Sequence, residues 1–146
     1  MAAMTDYLEN KIVDWLLRGQ TFTPPATVYV GLFTAAPTDA GGGTEVSGGS
    51  YARVAVTSSL ANWAGTQSAG STTASTGSSG TTTNNNAITF PAPTANWGTV
   101  TAFGVFDAAT GGNLLVYGNL NTAKTINNGD AAPSFAAGQL SVQVDN

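Results

Sequence analysis

Carboxylates are the side chains with which this sequence could perform acid–base chemistry, because it contains no His and no Cys. Two pairs could flank a bond to be hydrolysed if the fold brought them together: Asp39 with Glu45, and Asp107 with Asp130. Asp107 and Asp130 each lie in a predicted turn, where a carboxylate commonly accepts hydrogen bonds from its own backbone. We therefore interpret both as turn residues and keep a paired-carboxylate hydrolase as an alternative.

The segment from Val54 to Phe106 contains no Asp, Glu, Lys, Arg, His or Cys. Side chains that move protons, hold metals or attack carbonyls are therefore missing from a long central stretch of the chain. The D-x-D-x-D spacing of a calcium loop is also absent. These absences predict a protein that is not an enzyme and has no catalytic residues, metal site or cofactor.

Charged residues make up 8% of the 146-residue chain, against about 25% in an ordinary soluble protein. The few charges predict that other subunits cover much of the surface. The four basic residues are scattered and form no stripe that could neutralise phosphates: Lys11, Arg18, Arg53 and Lys124. The sequence therefore predicts no nucleic-acid partner.

Apolar runs in this sequence are short, and none approaches the roughly 18 residues of a membrane-spanning helix. The first residues also lack the basic region and apolar core of a secretion signal. We therefore expect synthesis in the cytoplasm and no membrane partner.

Two tryptophans, Trp63 and Trp97, each follow an Asn and stand on either side of a long polar segment. Exposed indoles can stack on sugar rings, so a carbohydrate-binding module that recognises a host surface through these residues is an alternative function. The competing interpretation places both rings in the core or in a subunit contact.

An amphipathic helix is predicted over residues 6–18. Asp6 is placed to cap it, and Glu9 would complete a capping box. One apolar stripe follows the helical period: Leu8, Ile12, Trp15 and Leu16. Gly19 is a typical residue just beyond a helix end. The apolar face must pack against the rest of the domain or against a neighbouring subunit.

Beyond Pro24 and Pro25 the apolar pattern changes to a period of two. Residues 28–33 are apolar on both faces, which predicts a strand that is central in its sheet or covered on both faces. Further strands are predicted at residues 51–56, 87–90, 99–106, 114–117, 124–126 and 139–144. We expect one mainly β domain over residues 1–146, an antiparallel β-sandwich that is either a plain sandwich or a jelly roll.

Residues 65–86 consist only of Gly, Ser, Thr, Ala, Gln and Asn. A segment without large apolar groups cannot by itself offset the entropy lost on ordering, and this one is long for a connection. We expect an exposed arm or loop that becomes ordered along a partner. A flexible surface loop without a role is the alternative.

Three blocks of this sequence resemble a family of small virion proteins of tailed bacteriophages that are commonly labelled tail-fibre proteins. The blocks are residues 4–11 together with 19–34, residues 97–115 and residues 124–130. The resemblance implies a non-enzymatic β-rich subunit, made in the bacterial host cytoplasm, that enters the virion. It implies either a tail or fibre component or a head decoration (cement) protein, and it transfers no functional residue.

The partners implied by this resemblance are major capsid or tail subunits and copies of the chain itself. We predict subunit contacts through the helix face, the loop at residues 37–50 and the polar segment at residues 65–86. Thr and Asn suit such contacts because they offer hydrogen bonds without a charge to desolvate. The predicted contact residues are Trp15, Leu16, Leu17, Val46, Thr72, Thr73, Thr82 and Asn85.

Overall fold

The computed structural model describes residues 2–144 and shows antiparallel strands with one helix near the start. In chain order the elements are β1 (Ala2–Met4), α1 (Asp6–Leu17), β2 (Thr27–Ala35), β3 (Thr44–Glu45), β4 (Val54–Thr57), β5 (Thr81–Thr83), β6 (Ile88–Thr89), β7 (Gly98–Phe106), β8 (Leu114–Ile126), β9 (Ser134–Phe135) and β10 (Ser141–Gln143). No helix in this part of the chain has the length and apolar character needed to cross a membrane.

The main sheet has six strands in the order β1-β8-β7-β2-β3, and β4 also pairs with β2. The strand predicted at residues 28–33 is central, as expected, because β2 pairs with β7 on one edge and with β3 and β4 on the other. Val30 and Leu32 face the main core, whereas Phe33 packs with Phe106 on the opposite face. Both faces of β2 are therefore covered.

A second layer lies over one face of the main sheet and consists of two short sheets, β5 with β10 and β6 with β9. Ile88 and Leu140 from this layer join Val30 and Val100 of the main sheet in one buried cluster. The structure thus confirms an antiparallel β-sandwich with one N-terminal helix. A jelly roll distributes eight strands over two sheets, whereas the second layer here is divided in two.

Helix α1 begins with a different cap from the one predicted. The N-cap is Thr5, not Asp6, and no side chain caps the helix. The Thr5 hydroxyl donates instead to a β8 carbonyl oxygen at 2.6 Å, which ties the helix start to the main sheet. The prediction of a capping box formed by Asp6 and Glu9 was therefore wrong. The helix ends at Leu17, and Gly19 follows with φ of 67°, as a helix-ending Gly should.

The second predicted strand begins at Val54, later than expected. Tyr51 does not pair through its backbone and instead forms hydrogen bonds to the sheet through its side chain. Between β3 and β4 the Leu32 N–H donates to the Tyr51 hydroxyl at 2.8 Å, and that hydroxyl donates to Glu45 Oε1 at 2.9 Å. Burial raises the pKa of the Tyr51 hydroxyl well above its usual value. The Tyr51 hydroxyl thus replaces a backbone hydrogen-bond partner for β2 in the gap between β3 and β4.

Residues 65–80 contain no helix or strand and fold back on themselves, which differs from an arm extended along a partner. Gln67 lies at the centre of this loop. Its Nε2 donates to Ser71 Oγ at 2.6 Å, and its Oε1 accepts from the Thr76 N–H at 3.1 Å. Polar groups that bind one another replace the apolar contacts that the segment lacks. The remainder of the polar segment, residues 81–86, belongs to β5 and the residues that follow it.

Candidate functional site

The C-terminal end of α1 exposes an unusual set of large apolar side chains. The exposed fractions are 56% for Trp15, 65% for Leu16 and 76% for Leu17, and Val13 is also exposed. We call these four residues the helix-end surface. Single exposed apolar residues are ordinary, but several adjacent ones typically mark an interaction site.

The geometry of α1 explains why this end is bare. Leu8, at the start of the predicted stripe, packs against the main core, and Ile12 is half-buried. Trp15 and Leu16 continue the same stripe past the part of the helix that the body of the protein covers. The apolar face that the sequence predicts is therefore buried at its beginning and uncovered at its end.

The charged side chains near the helix-end surface have partners on the helix itself. Arg18 Nη1 lies 2.8 Å from Asp14 Oδ1 across one helical turn. The Lys11 ammonium lies over the Tyr7 ring, 5.7 Å from its centroid. A partner that covers this surface would therefore desolvate few uncompensated charges.

The other predicted contact residues are distributed over the molecule. Thr72 and Thr73 are exposed on the folded loop. Val46 lies in the core. Thr82 is half-buried and donates to a backbone carbonyl at 2.7 Å, and the Asn85 amide donates to two backbone carbonyls at 3.3 Å. The side chains of Val46, Thr82 and Asn85 are therefore already engaged within the chain.

The two tryptophans proposed as sugar-stacking residues pack against the body of the protein. Trp97 is buried, and its indole N–H donates to the Gly49 carbonyl at 2.9 Å. Tyr51 packs edge-on against its ring at a centroid distance of 5.3 Å. Trp63 is half-buried against the same core. The burial of Trp97 leaves no ring face on which a sugar could stack.

The acids at predicted turns bind the backbone of those turns. Asp107 accepts from the Asn113 backbone and side-chain amides, both at 2.7 Å, and Asp130 accepts from the Asn127 N–H at 2.7 Å. This agrees with their interpretation as turn residues. In the described part of the chain, no three residues among His, Cys, Asp and Glu are grouped so that they could hold a metal ion.

The second acid pair also has separate structural partners. Arg53 binds both carboxylate oxygens of Glu45, at 2.8 and 2.7 Å. Asp39 accepts a hydrogen bond from the Tyr117 hydroxyl, and this bond raises the pKa of Tyr117. Each of the predicted acids is therefore engaged in holding the fold.

A groove of about 490 Å³ lies between β8 and the second layer. We call it the β8 groove. Val100 and Phe103 of the main sheet form part of its floor, and residues of β8, β9 and β10 form its walls. The sequence analysis did not identify it, because its lining comes from segments that are far apart in the chain.

The β8 wall of this groove departs from regular strand pairing. Asn119 pairs with Ala102 and Lys124 pairs with Val100, so residues 120–123 stand opposite the single residue Thr101. Bulges of this kind redirect side chains and are common beside functional sites. The segment from Asn119 to Lys124, in which the polar residues Asn121 and Thr122 are adjacent and break the alternation of β8, was the available sequence signal.

Comparison with known proteins identifies the family of this chain. No curated protein matches it. A protein family matches residues 3–143, a region that includes the helix-end surface, the folded loop and the β8 groove. The match confirms the resemblance to fibre-labelled phage proteins. The chain belongs to the family described as podophage GP4 fiber I protein gp80.

Proposed function

We propose that this protein works by assembly, binding neighbouring virion subunits through the helix-end surface and catalysing no reaction. Its family is one of phage fibre proteins, so the chain is a structural protein associated with the virion. The single observation that supports this mechanism best is the uncovered end of α1, with Trp15, Leu16 and Leu17 in solvent.

The helix-end surface can contribute part of the energy of a specific contact. Burying one large apolar side chain contributes roughly 1.5–3 kcal/mol. Trp15 and Leu16, which lie on the same apolar stripe, therefore offer at most about 3–6 kcal/mol before the cost of association. In a symmetric particle the same contact is repeated by every copy, so a modest pairwise affinity produces a stable assembly.

The acids support a structural function. Asp107 and Asp130 cap their own turns, and Glu45 is held by Arg53. A carboxylate with a fixed structural partner is poorly placed to transfer protons to a substrate. This arrangement favours assembly over the hydrolase alternative.

Substitution of the helix-end surface tests this proposal. We expect the double variant Trp15→Ser, Leu16→Ser to fold normally, because both side chains lie on the uncovered end of the stripe and are largely exposed. Its incorporation into particles should fall, with an affinity for its partner at least about 100-fold weaker. Quantitative mass spectrometry of purified virions, together with a thermal unfolding curve of the free protein, provides the measurement.

The matched control is Leu60→Ser. Leu60 is 53% exposed and lies outside the helix, so its replacement removes an exposed apolar residue of similar size without altering the helix-end surface. Normal incorporation of the double variant would contradict the proposal, and so would an equal loss in the Leu60→Ser control.

A further inference from the structure

We propose that the β8 groove is a binding site for a neutral saccharide. This site is separate from the helix-end surface and does not use Trp63 or Trp97. Its volume of about 490 Å³ falls within the roughly 300–1,000 Å³ that is typical of small-ligand sites. Three features of its lining point to a sugar: an oriented aromatic ring, amide side chains without partners, and a nearly uncharged wall.

The aromatic element is Phe135. Its ring is half-buried and lines the groove. Phe90 and Phe103 both meet it edge to face, at centroid distances of 6.3 and 6.0 Å and interplanar angles of 65° and 70°. Such contacts fix the orientation of a ring. A fixed phenyl ring in a groove lined by both apolar and polar side chains is suited to contact with the C–H groups on one face of a pyranose.

The amide side chains supply the hydrogen-bonding groups. Asn119, Asn121 and Gln139 line the groove, and within residues 2–144 their side chains form no hydrogen bond to other parts of the chain. Asn84 and Asn85, in contrast, use their amides to bind the backbone. An amide carries both donors and an acceptor. This combination matches a sugar hydroxyl, which also donates and accepts.

The bulge at residues 120–123 forms part of the β8 wall of the groove. Leu120, Asn121 and Thr122 all belong to it and all line the groove. In a regular strand, alternate side chains would point to opposite faces of the sheet. The bulge allows consecutive residues to border one groove, so the wall depends on a specific irregularity of β8.

The charge of the lining favours a neutral ligand. Lys124 is the one ionisable residue among the described residues that border the groove. A site for phosphate or for an acidic polymer normally gathers several cations, and the whole chain carries a formal charge of −4. Neutral hydroxyl groups require no such compensation.

The test is a titration of the full ¹⁵N-labelled chain with neutral oligosaccharides, followed by amide chemical shifts. The probes are maltotriose, cellotriose, chitotriose, mannotriose and a rhamnose trisaccharide, each up to millimolar concentration. For at least one probe we expect saturable shifts at residues 119–124 and 133–143. The side-chain NH₂ signals of Asn121 and Gln139 should shift with them.

Variants locate the site. We expect Asn121→Ala and Gln139→Ala each to weaken binding about tenfold, the effect of losing one or two hydrogen bonds to the ligand. Asn128→Ala is the matched control, because Asn128 is exposed and does not line the groove. Lys124→Gln should leave the affinity for a neutral sugar nearly unchanged.

Three outcomes would overturn this inference. The first is that none of the probes produces a saturable shift. The second is that shifts appear away from the groove and persist in Asn121→Ala and Gln139→Ala. The third is binding of dextran sulfate that Lys124→Gln abolishes while neutral sugars fail, which would identify an anion site. None of these results would affect the proposed assembly through the helix-end surface.

Discussion

Arg53 connects segments of the chain that no strand pairing joins. Its guanidinium binds Glu45 of β3 through two hydrogen bonds and donates to the carbonyls of Ala108 and Gly111 in the turn before β8. It also lies 3.3 Å from the centroid of the Phe106 ring. With all these partners the side chain is only 8% exposed. In a protein with so few charges, this one ion pair has a structural function.

The Arg53 pair provides a prediction at the residue scale. Arg53→Met keeps much of the apolar stem but leaves the Glu45 carboxylate with only the Tyr51 hydroxyl as a donor, and it removes the donor to two carbonyl groups. We expect the free energy of unfolding to fall by about 2–4 kcal/mol, because a partly buried charge loses its compensation. Urea unfolding followed by tryptophan fluorescence measures this change.

Arg18→Met serves as the control for that measurement. Arg18 also pairs with a carboxylate, that of Asp14, but its side chain is 70% exposed. An exposed pair contributes at most about 1 kcal/mol. Equal destabilisation by the two substitutions would show that the buried network around Arg53 contributes nothing beyond a surface ion pair.

Among the elements, the folded loop at residues 65–80 is the clearest case of a segment ordered by polar groups alone. Its base is closed where the Ala64 N–H donates to the Thr83 carbonyl at 2.9 Å. The two ends of the loop therefore lie close together, and the loop adds no strand to the sandwich. Surface loops with such closely spaced ends usually tolerate shortening.

Shortening this loop is a prediction at the element scale. Replacing residues 66–79 with a Gly-Gly-Ser linker should leave the sandwich folded and change the melting temperature by only a few degrees, since no core residue is removed. We expect incorporation into particles to decrease, because the loop carries the exposed predicted contacts Thr72 and Thr73. If the shortened protein entered virions at the normal level, the loop would have no role in assembly. The double variant Thr72→Ala, Thr73→Ala tests those two contacts without changing the length of the loop.

Sequence periodicity predicted some elements well because apolar residues defined them. Strand β2 was clear from its two apolar faces, and the stripe of α1 followed the helical period. Polar residues gave weaker signals. Asn84 lies in a run of Thr and Asn that resembled an exposed arm, yet it is buried and binds the backbone of Ala136 and Leu140. Only the fold could show that its amide joins β5 to the C-terminal strand.

The two candidate sites also differ in how far the sequence could predict them. Trp15, Leu16 and Leu17 were predicted as contact residues from an apolar stripe on a lone helix, and the structure leaves their side chains exposed. The β8 groove could not be predicted, because its walls come from residues near 120, 135 and 140. Long-range contacts of this kind are set by strand order and register, which a single sequence does not specify.

At the scale of the whole molecule, the protein combines a broad antiparallel sheet, a divided second layer and a helix whose end is left free. This shape suits a subunit that is held on one side and presents its remaining faces outward. We predict a position on the tail fibre, as the fibre description of its family suggests, and a position on the head shell is the alternative.

Copy number is the prediction that separates these two positions. A fibre component should be present in a few copies or a few dozen per virion, following the symmetry of the tail, whereas a shell protein follows the many equivalent positions of the head. Mass spectrometry of intact virions calibrated against the major capsid protein measures this ratio. A value on the order of hundreds would place the protein on the head.

The near neutrality of the free end of α1 determines how its contacts respond to the environment. Attraction between charges weakens as ionic strength rises, whereas contact between indole and leucine side chains does not depend on opposite charges. A particle joined in this way should keep its fibres in both dilute water and brine. Cooling should weaken the contact at the end of α1, because the hydrophobic effect weakens at low temperature.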